Sequence, residues 1–597
     1  MNPARGKRTF RHDDDDGKPA AKWAKQQSHF HVIPLQGNAA QSRRTNDEIH
    51  SSIDMGPVIS AIVDTPQFQR LRRIKQLGTA EYVYCNTNHN RFEHSLGVYF
   101  LAGRMCTRIR TKQPQLPCTP KDVLCVELAG LLHDIGHGPF SHIYESFLKH
   151  AHPTFLNENP DIKAVYDEHL PSFDVKKWKH EEVSLKMIDA ALAYMGLAID
   201  IDNLDQPLKQ IGDGIDARSM RVFDSGLSDT EAILTSRDFV FVKECIYGGP
   251  IAQAEHGNPN LRTLIGRSQE KEWMYDIVSN AHSGLDVDKM DYFARDQRRA
   301  FGTSGKVHIQ MIEDCYVAWG ACTRPGKCDR CNSFVAPDES VEGLHLMICY
   351  GEKIEKSAIN FFKERLNLHE SIYRHKTVQA VAYMIQDIFS LADPYLRIST
   401  QNKFAKNAAM GQSKKEYEFL PMSLAILDAH AFERMADSII DQIESMEDIP
   451  GLEKAKALIQ RLRCRDLYKC KGSHHISLSD PGDKNIWEKS EAEIKNDIIL
   501  MNAKHDNGAG PPLVLTHQDF IVEKCSINHG SGPNNPLDKM RFIRKIDEAK
   551  LNNPPVMNDR LRQPKNMGEA LPNNPIMKNC SSASDVLPLA LEYNKAK

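Results

Sequence analysis

The 597-residue sequence lacks the features that would place it in several protein classes. Its 76 Lys and Arg against 79 Asp and Glu leave a formal net charge of −3, which is not the basic excess of a protein that coats nucleic acid. No run approaches the roughly 20 apolar residues of a membrane-spanning helix. The N-terminus, MNPARGKRTFRHDDDD, has no apolar core of a secretory signal. The 14 scattered cysteines favour reduced thiols in the cytosol or nucleus.

Helical periodicity is the main pattern between Asn46 and Leu391. In VISAIVDTPQFQRLRRIKQLG apolar residues recur at helical spacing, and Pro66 divides the segment into two helices. DVLCVELAGLLHDIGHG predicts an apolar helix that begins near Asp122 and continues towards its terminal glycines. Residues 420–470 are helical again, and short strand-like runs with Pro/Asn-rich turns follow. The sequence predicts a mainly α protein with a smaller mixed α/β C-terminal region.

Composition divides the chain into four segments. We predict a disordered tail, a helical main domain, a helical and small-sheet region, and a second disordered tail, over residues 1–42, 43–400, 401–550 and 551–597. The basic residues of the first tail fit either a nuclear-import signal or a solvated segment: Arg5, Lys7, Arg8 and Arg11. We therefore expect the protein in the nucleus, the cytoplasm or both.

An irregular insertion is predicted at residues 319–340. It contains the pair Cys328-x-x-Cys331. A structural zinc site usually needs four protein ligands, and no second pair of this kind is visible in the sequence. Free thiols are therefore favoured here over a zinc knuckle.

The densest group of chemically active residues lies between Asn90 and Glu145. NRFEHSLG and GLLHDIGHGPFSH supply five such side chains: His94, His133, Asp134, His137 and His142. If the apolar helix continues for one more turn, His137 shares a face with His133. A single buried histidine is usually a hydrogen-bonded core residue, but leaving several without partners would cost about 1–3 kcal/mol each. Imidazole with carboxylate suits Zn, Fe, Mn or Ni, whereas Mg prefers mostly oxygen.

A second acidic cluster lies in GLDVDKMDYFARD, where Asp286, Asp288, Asp291 and Asp296 occur together. It fits a solvated, salt-bridged helix face. The i,i+4 spacing from Asp288 to Tyr292 and from Tyr292 to Asp296 also puts a carboxylate, a phenol and a carboxylate on one face. That arrangement fits a metal ligand followed by polar contacts to a sugar.

These blocks carry a family resemblance. DTPQFQRLRRIKQLG, HNRFEHSLGV, HDIGHGPFSH, DVDKMDYFARD and YRHK resemble the SAM-and-HD-domain deoxynucleoside triphosphate triphosphohydrolases, and DFIVEKCSINHGSGPNNPLDKM resembles their C-terminal region more weakly. The resemblance covers about Asn46 to Lys545. The segment before it is too short and too polar for the helical SAM domain, so we expect a form without that domain.

The resemblance implies metal-dependent hydrolysis of a dNTP to deoxynucleoside and inorganic triphosphate. It implies Zn, Fe, Mn or Mg at His94, His133, Asp134 and Asp288. His142 and His180 match histidines implicated in proton transfer, His137 matches a phosphate contact, and Glu145 stands where the family usually has Asp. The positions that match substrate contacts are Gln76, Leu77, Arg91, Lys289, Tyr292, Asp296, Arg365 and Tyr373. Tyr373 is expected to crowd the 2′ side of the sugar and reject ribonucleotides.

The resemblance also implies allosteric assembly to a homodimer or homotetramer, with GTP or dGTP and then a dNTP as activators. Positions that match the guanine-nucleotide site are Arg43, Arg44, Asp64, Gln69, Arg72, Lys456 and Lys545. Those that match the second activator site are Asn46, Lys353 and Lys376. Met311 and Gly351 align with two family arginines, the former within one residue, and Gln460 replaces a Lys. We therefore expect altered regulation. An antiviral role in innate immunity is suggested by the resemblance alone.

Two other functions fit parts of the sequence. Another HD-domain phosphodiesterase or nucleotidase would use the same metal residues, but the sugar-contacting positions argue against a cyclic phosphate substrate. A non-catalytic scaffold could bind single-stranded nucleic acid through local basic patches, to which the net charge of −3 gives little support.

Overall fold

A computed structural model describes most of the chain between residues 42 and 544 and one segment near the C-terminus. The described residues are 42–158, 160, 163, 178–224, 226–251, 263–303, 308–324, 326–334, 343–405, 416–477, 480–504, 515–517, 519–527, 535–544 and 587–594. The predicted N-terminal tail with its basic cluster lies outside them, as does Lys545. No helix in these ranges combines the length and apolarity needed to span a bilayer.

Helices make up most of the described chain, as predicted. The α-helices are α1 Pro57–Val63, α2 Pro66–Gln69, α3 Arg91–Lys112, α4 Pro120–Leu132, α5 His142–Glu158, α6 His180–Tyr194, α7 Asp229–Ala232, α8 Ser236–Tyr247, α9 Tyr275–Val278, α10 Val287–Phe301, α11 Ile309–Glu313, α12 Asp329–Ser333, α13 Glu355–Leu368, α14 Lys376–Ala392, α15 Ala429–Glu433, α16 Ile439–Ser445, α17 Glu453–Arg463, α18 Pro481–Glu488 and α19 Glu491–Lys504.

The strands form small, separate sheets. They are β1 Arg43–Asp47, β2 Ser51–Met55, β3 Leu197–Ala198, β4 Lys209–Gln210, β5 Cys315–Ala321, β6 Leu344–Gly351, β7 Ile398–Ala405, β8 Glu416–Leu420, β9 Lys469–His475, β10 Phe520–Ile527, β11 Phe542–Ile543 and β12 Leu587–Asn594. Antiparallel pairs join β1 to β2, β3 to β4 and β7 to β8. The two three-stranded sheets have the orders β11-β6-β5 and β10-β12-β9.

The helices α3, α4 and α10 pack together and carry the residues singled out in the sequence. Small residues permit the close approach of α3 and α4, since a Cβ on Gly130 would lie 3.0 Å from the Ala102 Cβ. Gly97 allows α10 to approach α3, because a Cβ there would lie 1.9 Å from the Asp291 Oδ1. Gly97 therefore permits the close packing of these two helices.

Helix α4 ends earlier than the apolar pattern suggests. It begins at a capping box in which Thr119 and Asp122 exchange hydrogen bonds, and it ends at Leu132 with His133 as its C-cap. The helix therefore does not continue to His137, and the condition under which His137 would share a helix face with His133 is not met. A Cβ on Gly136 would lie 2.3 Å from the backbone of both His180 and Ser184, so the chain must leave the helix to pass α6.

Two predicted boundaries change in the C-terminal half. Strand β5 continues to Ala321, so the irregular insertion expected from residue 319 begins at Cys322. Leu587–Asn594 forms the middle strand of a sheet, so the predicted disordered tail is wrong over these residues. The physical reason is the alternation of apolar residues in LPLALEY, which suits a strand. The rest of that tail lies outside the described residues.

Candidate metal centre and nucleotide pocket

Four side chains from three parts of the chain converge on one point. His94 lies in the first turn of α3, His133 caps the end of α4 with Asp134 directly after it, and Asp288 lies in the first turn of α10. The His94 Nε2 is 3.1 Å from the Asp288 Oδ1 and 3.5 Å from the Asp134 Oδ2. The His133 Nε2 is 3.2 Å from the His94 Nε2 and 3.4 Å from the Asp288 Oδ1. The predicted ligand set is therefore brought together.

The far side of each imidazole is held by a hydrogen bond. His133 Nδ1 donates to the Gly130 carbonyl at 2.8 Å, and His94 Nδ1 donates to the Asp291 Oδ2 at 2.8 Å. Asp291 is fully buried and also accepts from His50 Nε2 at 2.6 Å and from Arg295 Nε at 2.9 Å. These bonds leave both Nε2 atoms directed at the shared point, as metal-binding histidines require.

The electrostatics of this point favour a positive charge. Burial opposes a charge on His94, but hydrogen bonds to Asp288 and Asp291 and the nearby Asp134 raise its pKa to about 10. The pKa of Asp288 is lowered despite its desolvation, through hydrogen bonds to His133 and His94. A divalent cation would supply the same charge in place of the ring proton. The donor set of two imidazoles and two carboxylates therefore fits a divalent transition metal.

Asp134 connects this centre to a second group of histidines. Its Oδ2 accepts from Arg91 Nη1 at 2.5 Å, and its Oδ1 lies 3.2 Å from the His137 Nε2 and 3.7 Å from the His180 Nε2. The rings of His137 and His180 stack with centroids 3.7 Å apart. Burial and then the charge of Arg91 lower the pKa of His137 well below its ordinary value, so this ring is neutral.

Glu145 joins His180 and His142 at the edge of the centre. Its Oε1 accepts from His180 Nδ1 at 2.9 Å and lies 3.2 Å from the His142 Nδ1. The His142 side chain is 70% exposed and that of His180 only 15%, so the group leads from solvent to Asp134. Burial opposes a charge on His180, but the carboxylates of Glu181 and Glu145 raise its pKa to about 9. His180 is therefore able to hold a proton at neutral pH.

The predicted sugar contacts form a connected group beside the centre. Tyr373 OH donates to the Asp296 Oδ2 at 2.6 Å, and the Asp296 Oδ1 accepts from His89 Nε2 at 2.9 Å. The Tyr292 ring lies 6.3 Å from that of His94, between centroids. Asp288, Tyr292 and Asp296 do share one face of α10, as the i,i+4 spacing predicted.

The predicted phosphate contacts surround the same centre. Lys289 Nζ donates to the Asp286 Oδ2 at 2.6 Å. The positive charge of Arg365, on α13, acts on Lys289 and on Tyr292. Arg91 reaches both Asp134 and the Gln76 carbonyl, the latter at 3.3 Å. The buried Gln76 Oε1 has no partner in the described part of the chain, and Leu77 packs partly buried against the core.

Comparison with known proteins identifies the family. Residues 91–197 match the family model described as HD domain. Deoxynucleoside triphosphate triphosphohydrolase SAMHD1 of Mus musculus is 32% identical over 504 residues, which are 84% of this chain and 63% of that protein. The Bos taurus protein of the same name is 31% identical over 506 residues, 85% of this chain and 70% of that protein. The chain belongs to the SAMHD1 family.

More distant members of the SAMHD1 family match over a similar length. The homolog in Dictyostelium discoideum is 28% identical over 508 residues, which cover 85% of this chain and 72% of that protein. The chain spans about two thirds of the length of the curated relatives it matches. Asp288 lies beyond the HD-domain match, and α10 brings it to the ligands within that match.

Four of the positions predicted for a guanine nucleotide in this SAMHD1-family chain lie together. Arg43 Nη2 donates to the Asp64 Oδ1 at 2.7 Å, and Arg72 Nε donates to the Gln69 Oε1 at 2.8 Å. Burial and then the charge of Arg43 lower the pKa of Arg72. Arg44 instead pairs with the exposed Asp54 on the neighbouring strand, Nη2 to Oδ2 at 3.0 Å.

Of the remaining predicted guanine-nucleotide positions, Lys456 lies in α17, with Gln460 one turn further on, and Lys545 lies outside the described residues. Lys456 donates to the Met446 carbonyl, and Gln460 Nε2 donates to the Glu444 Oε1 at 2.8 Å. Neither side chain is joined to Arg43 or Asp64 by any bond within the described residues. In a single chain, Lys456, Gln460 and Arg44 therefore do not join the group that contains Arg43 and Asp64.

The positions predicted for the second activator lie on three separate elements. Asn46 lies on β1, and Lys376 begins α14. Lys353 Nζ forms an ion pair with the Asp314 Oδ1 at 3.0 Å.

The two departures from the family arginines occupy different environments. Met311 is 0% exposed and lies on the core side of α11. The adjacent Gln310 is exposed. A Cβ on Gly351 would lie 2.3 Å from the Asp314 Oδ2, so a longer side chain here would require the Asp314 carboxylate to move.

Sequence reasoning missed the residues that hold the centre in place. Arg70 is buried and donates to the carbonyls of Ile135, at 3.2 Å, and of His137, which fixes the turn after Asp134. Burial lowers the pKa of Arg70 to about 9. In the sequence, the buried Asp291 is only one of the four acids of GLDVDKMDYFARD, and nothing there singles out its role. Its position three residues after Asp288 is the available signal, because i,i+3 residues share a helix face.

Proposed function

We propose that this protein is a metal-dependent dNTP triphosphohydrolase that releases deoxynucleoside and inorganic triphosphate. The observation that carries the proposal is the convergence of His94, His133, Asp134 and Asp288, with the interatomic distances of 3.1–3.5 Å given above. The SAMHD1 relatives are named for this activity. A bound cation would supply Lewis acidity towards a phosphoryl oxygen and lower the pKa of water. Zn, Fe and Mn suit the donors best.

The residues beside the centre are suited to move a proton. His180 holds a proton at neutral pH and is oriented by Glu145, so it can protonate the departing 5′ oxygen of the deoxynucleoside. His142, the exposed member of the group, can exchange that proton with solvent. His137 is neutral and donates towards phosphate or Asp134 rather than adding charge.

Cations and a half-buried phenol would set the class of substrate. Arg91, Lys289 and Arg365 would neutralise the triphosphate, which carries several negative charges. Tyr373, fixed by its bond to Asp296, would occupy the 2′ side of the sugar and exclude a ribose hydroxyl. Gln76, Leu77 and Tyr292 would complete the deoxyribose pocket. This group favours a deoxynucleotide over the cyclic phosphate of other HD-domain enzymes.

Nucleotides would also regulate this activity by binding at two further sites. Arg43, Asp64, Gln69 and Arg72 would bind GTP or dGTP, with the Asp64 carboxylate accepting from guanine and the arginines neutralising phosphate. Arg44, Lys456 and Lys545 would join from elsewhere in a dimer or tetramer. Asn46, Lys353 and Lys376 would bind the second activator more weakly, because Gly351 supplies no charge there.

The deciding experiment measures hydrolysis of each dNTP by the purified chain, with and without GTP, and identifies products by chromatography. We expect triphosphate and deoxynucleoside, and no turnover after chelation until metal is restored. His133→Ala and Asp134→Ala should each abolish turnover while circular dichroism stays native. Turnover by both variants, or release of monophosphate or pyrophosphate instead, would refute the proposed reaction. Activity limited to cyclic nucleotides would favour a phosphodiesterase, and nucleic-acid binding without turnover a scaffold.

A further inference from the structure

A second cluster of metal-binding side chains lies away from the HD centre. It contains His282, Cys322, Cys328 and His345, whose ligand atoms all lie within 4.8 Å of one another. The Cys328 Sγ is 3.3 Å from the His282 Nε2 and 3.5 Å from the His345 Nε2. Nitrogen and sulfur ligands of one tetrahedral zinc ion lie roughly 3.5 Å apart, given metal–ligand distances of about 2.0–2.3 Å. The spacing therefore suits one shared ion.

Both histidines of this cluster are oriented from behind by buried carboxylates. His282 Nδ1 donates to the Asp276 Oδ1 at 3.3 Å, and His345 Nδ1 donates to the Glu272 Oε2 at 3.3 Å. Asp276 is itself fixed by Arg330, whose Nη2 donates at 2.6 Å. A carboxylate behind each ring sets the tautomer whose Nε2 carries the free electron pair, as is usual for histidine ligands. The two Nε2 atoms are accordingly directed at the thiols.

The ligands come from separate parts of the chain. Cys322 follows β5, Cys328 lies in the β5–β6 connection, and His345 is the second residue of β6. His282 belongs to the segment between α9 and α10, and its carbonyl accepts from Thr323 Oγ1 at 2.8 Å. The four ligands include no closely spaced pair that would mark a metal site in the sequence. For this reason the sequence favoured free thiols at Cys328 and Cys331.

The thiols of this cluster lie beside the two imidazoles and are not oxidised to a disulfide. Cys328 and His345 are buried, Cys322 is half-buried, and all three cysteines of the connection are free rather than joined in a disulfide. Cys331 is exposed, and its Sγ lies 3.2 Å from the His345 Nε2. Four donors suffice for a structural site, so Cys331 is not needed. Two thiolates and two imidazoles select zinc over magnesium or calcium.

We propose that His282, Cys322, Cys328 and His345 bind a structural zinc ion. The ion joins the β5–β6 connection to the segment that precedes α10. Asp286, the N-cap of α10, and Asp288, a ligand of the HD centre, follow His282 closely in this segment. The zinc ion therefore fixes the start of the helix that supplies Asp288, and it is distinct from the cation of that centre.

Metal analysis of the full-length chain tests the assignment. Asp134→Ala removes a ligand of the HD centre, and in this background we expect about one zinc ion per chain by mass spectrometry. Adding Cys322→Ser and Cys328→Ser should remove it, whereas adding Cys85→Ser and Cys464→Ser, two exposed cysteines elsewhere, should leave it in place. Zinc retained by a folded Cys322→Ser/Cys328→Ser protein would overturn the proposal. Loss of zinc from Cys331→Ser alone would overturn the choice of ligands.

A measurement on the unaltered chain covers the case in which the variants fail to fold. Cobalt in a site with two thiolates gives an intense sulfur-to-metal charge-transfer absorption, which the imidazole and carboxylate ligands of the HD centre cannot produce. We expect this absorption in the cobalt-substituted protein and its loss on titration with a mercurial thiol reagent. Absence of the absorption, or a disulfide among these cysteines by non-reducing mass analysis, would overturn the proposal. Neither readout depends on hydrolysis of dNTP.

Discussion

Single residues act here mainly through what they exclude or orient. Tyr373 is fixed at 2.6 Å from Asp296, and Asp296 is fixed in turn by His89. The backbone holds one end of the Tyr373 ring and the bond to Asp296 holds the other, so the ring cannot turn aside for an extra hydroxyl on the sugar. Discrimination between deoxyribose and ribose is therefore expected to depend on the bulk of this ring rather than on its hydroxyl.

Replacing Tyr373 tests that idea. We expect Tyr373→Ala to reduce the ratio of kcat/KM for dATP to that for ATP at least about 10-fold, because space opens on the 2′ side. Tyr373→Phe keeps the ring and should keep most of the ratio, although loss of the bond to Asp296 should lower turnover. The measurement is product release with GTP present at a fixed concentration. An unchanged ratio in Tyr373→Ala would contradict the proposed role.

Glu127 gives a pH-dependent stability. Burial raises its pKa to about 7, above the roughly 4.3 expected in the unfolded chain. Between these values the unfolded state loses the proton and the folded state keeps it, so the free energy of unfolding falls as pH rises through this window and is constant above it. Glu127→Gln should therefore stabilise by about 1–3 kcal/mol at pH 8.5 and by less at pH 5.5. Urea unfolding at both values would measure this, and an equal effect at both would contradict it.

At the scale of elements, the turn after α4 decides the geometry of the centre. Arg70 donates to the carbonyls of this turn, and Ser184 Oγ accepts from the Gly136 amide at 3.0 Å and donates to the His133 carbonyl at 2.9 Å. These bonds satisfy backbone groups that the end of a helix leaves without partners. They also place Asp134 and His137 against α6, which supplies His180.

The packing of this turn against α6 is most sensitive to substitution at Gly136. A Cβ there would meet the backbone at 2.3 Å, and backbone cannot move aside as a flexible side chain can. We expect Gly136→Ala to destabilise by roughly 2 kcal/mol or more and to lower turnover further than stability alone would, since α6 carries His180. Gly212→Ala is the control, because nothing lies within 4 Å of its added Cβ. Thermal unfolding and kcat would be compared, and a neutral Gly136→Ala would contradict the packing.

At the scale of the whole molecule, the buried metal centre and the predicted regulatory group are formed by different residues of one chain. Arg43, Asp64, Gln69 and Arg72 lie at the junction of β1, α1 and α2, whereas Arg44 and Lys456 are not joined to them. Assembly of several copies could complete this site, because residues of another copy would then lie beside it. Nucleotide binding and oligomeric state are therefore expected to be coupled.

Asp64→Ala tests this coupling. We expect it to remove GTP-dependent assembly in sedimentation velocity and GTP-dependent activation together, while metal content stays unchanged. In the unaltered chain GTP alone should give mainly a dimer with weak activation, because Gly351 leaves the second site short of charge. Asp213→Ala, a change at an exposed carboxylate outside the group, serves as the control. Full tetramer formation at low nucleotide would contradict the weakened second site.

The helical class was determined by local sequence patterns, because apolar residues at helical spacing keep their meaning in any packing. The ligand set of His94, His133, Asp134 and Asp288 was predicted from the resemblance of short motifs to a known family, before any contact was known. The end of α4, the role of Asp291 and Arg70, the burial of Met311 and the cluster of His282, Cys322, Cys328 and His345 were decided by the tertiary structure alone. Each depends on which residues distant in sequence become neighbours, and long-range packing leaves no periodic trace in one chain.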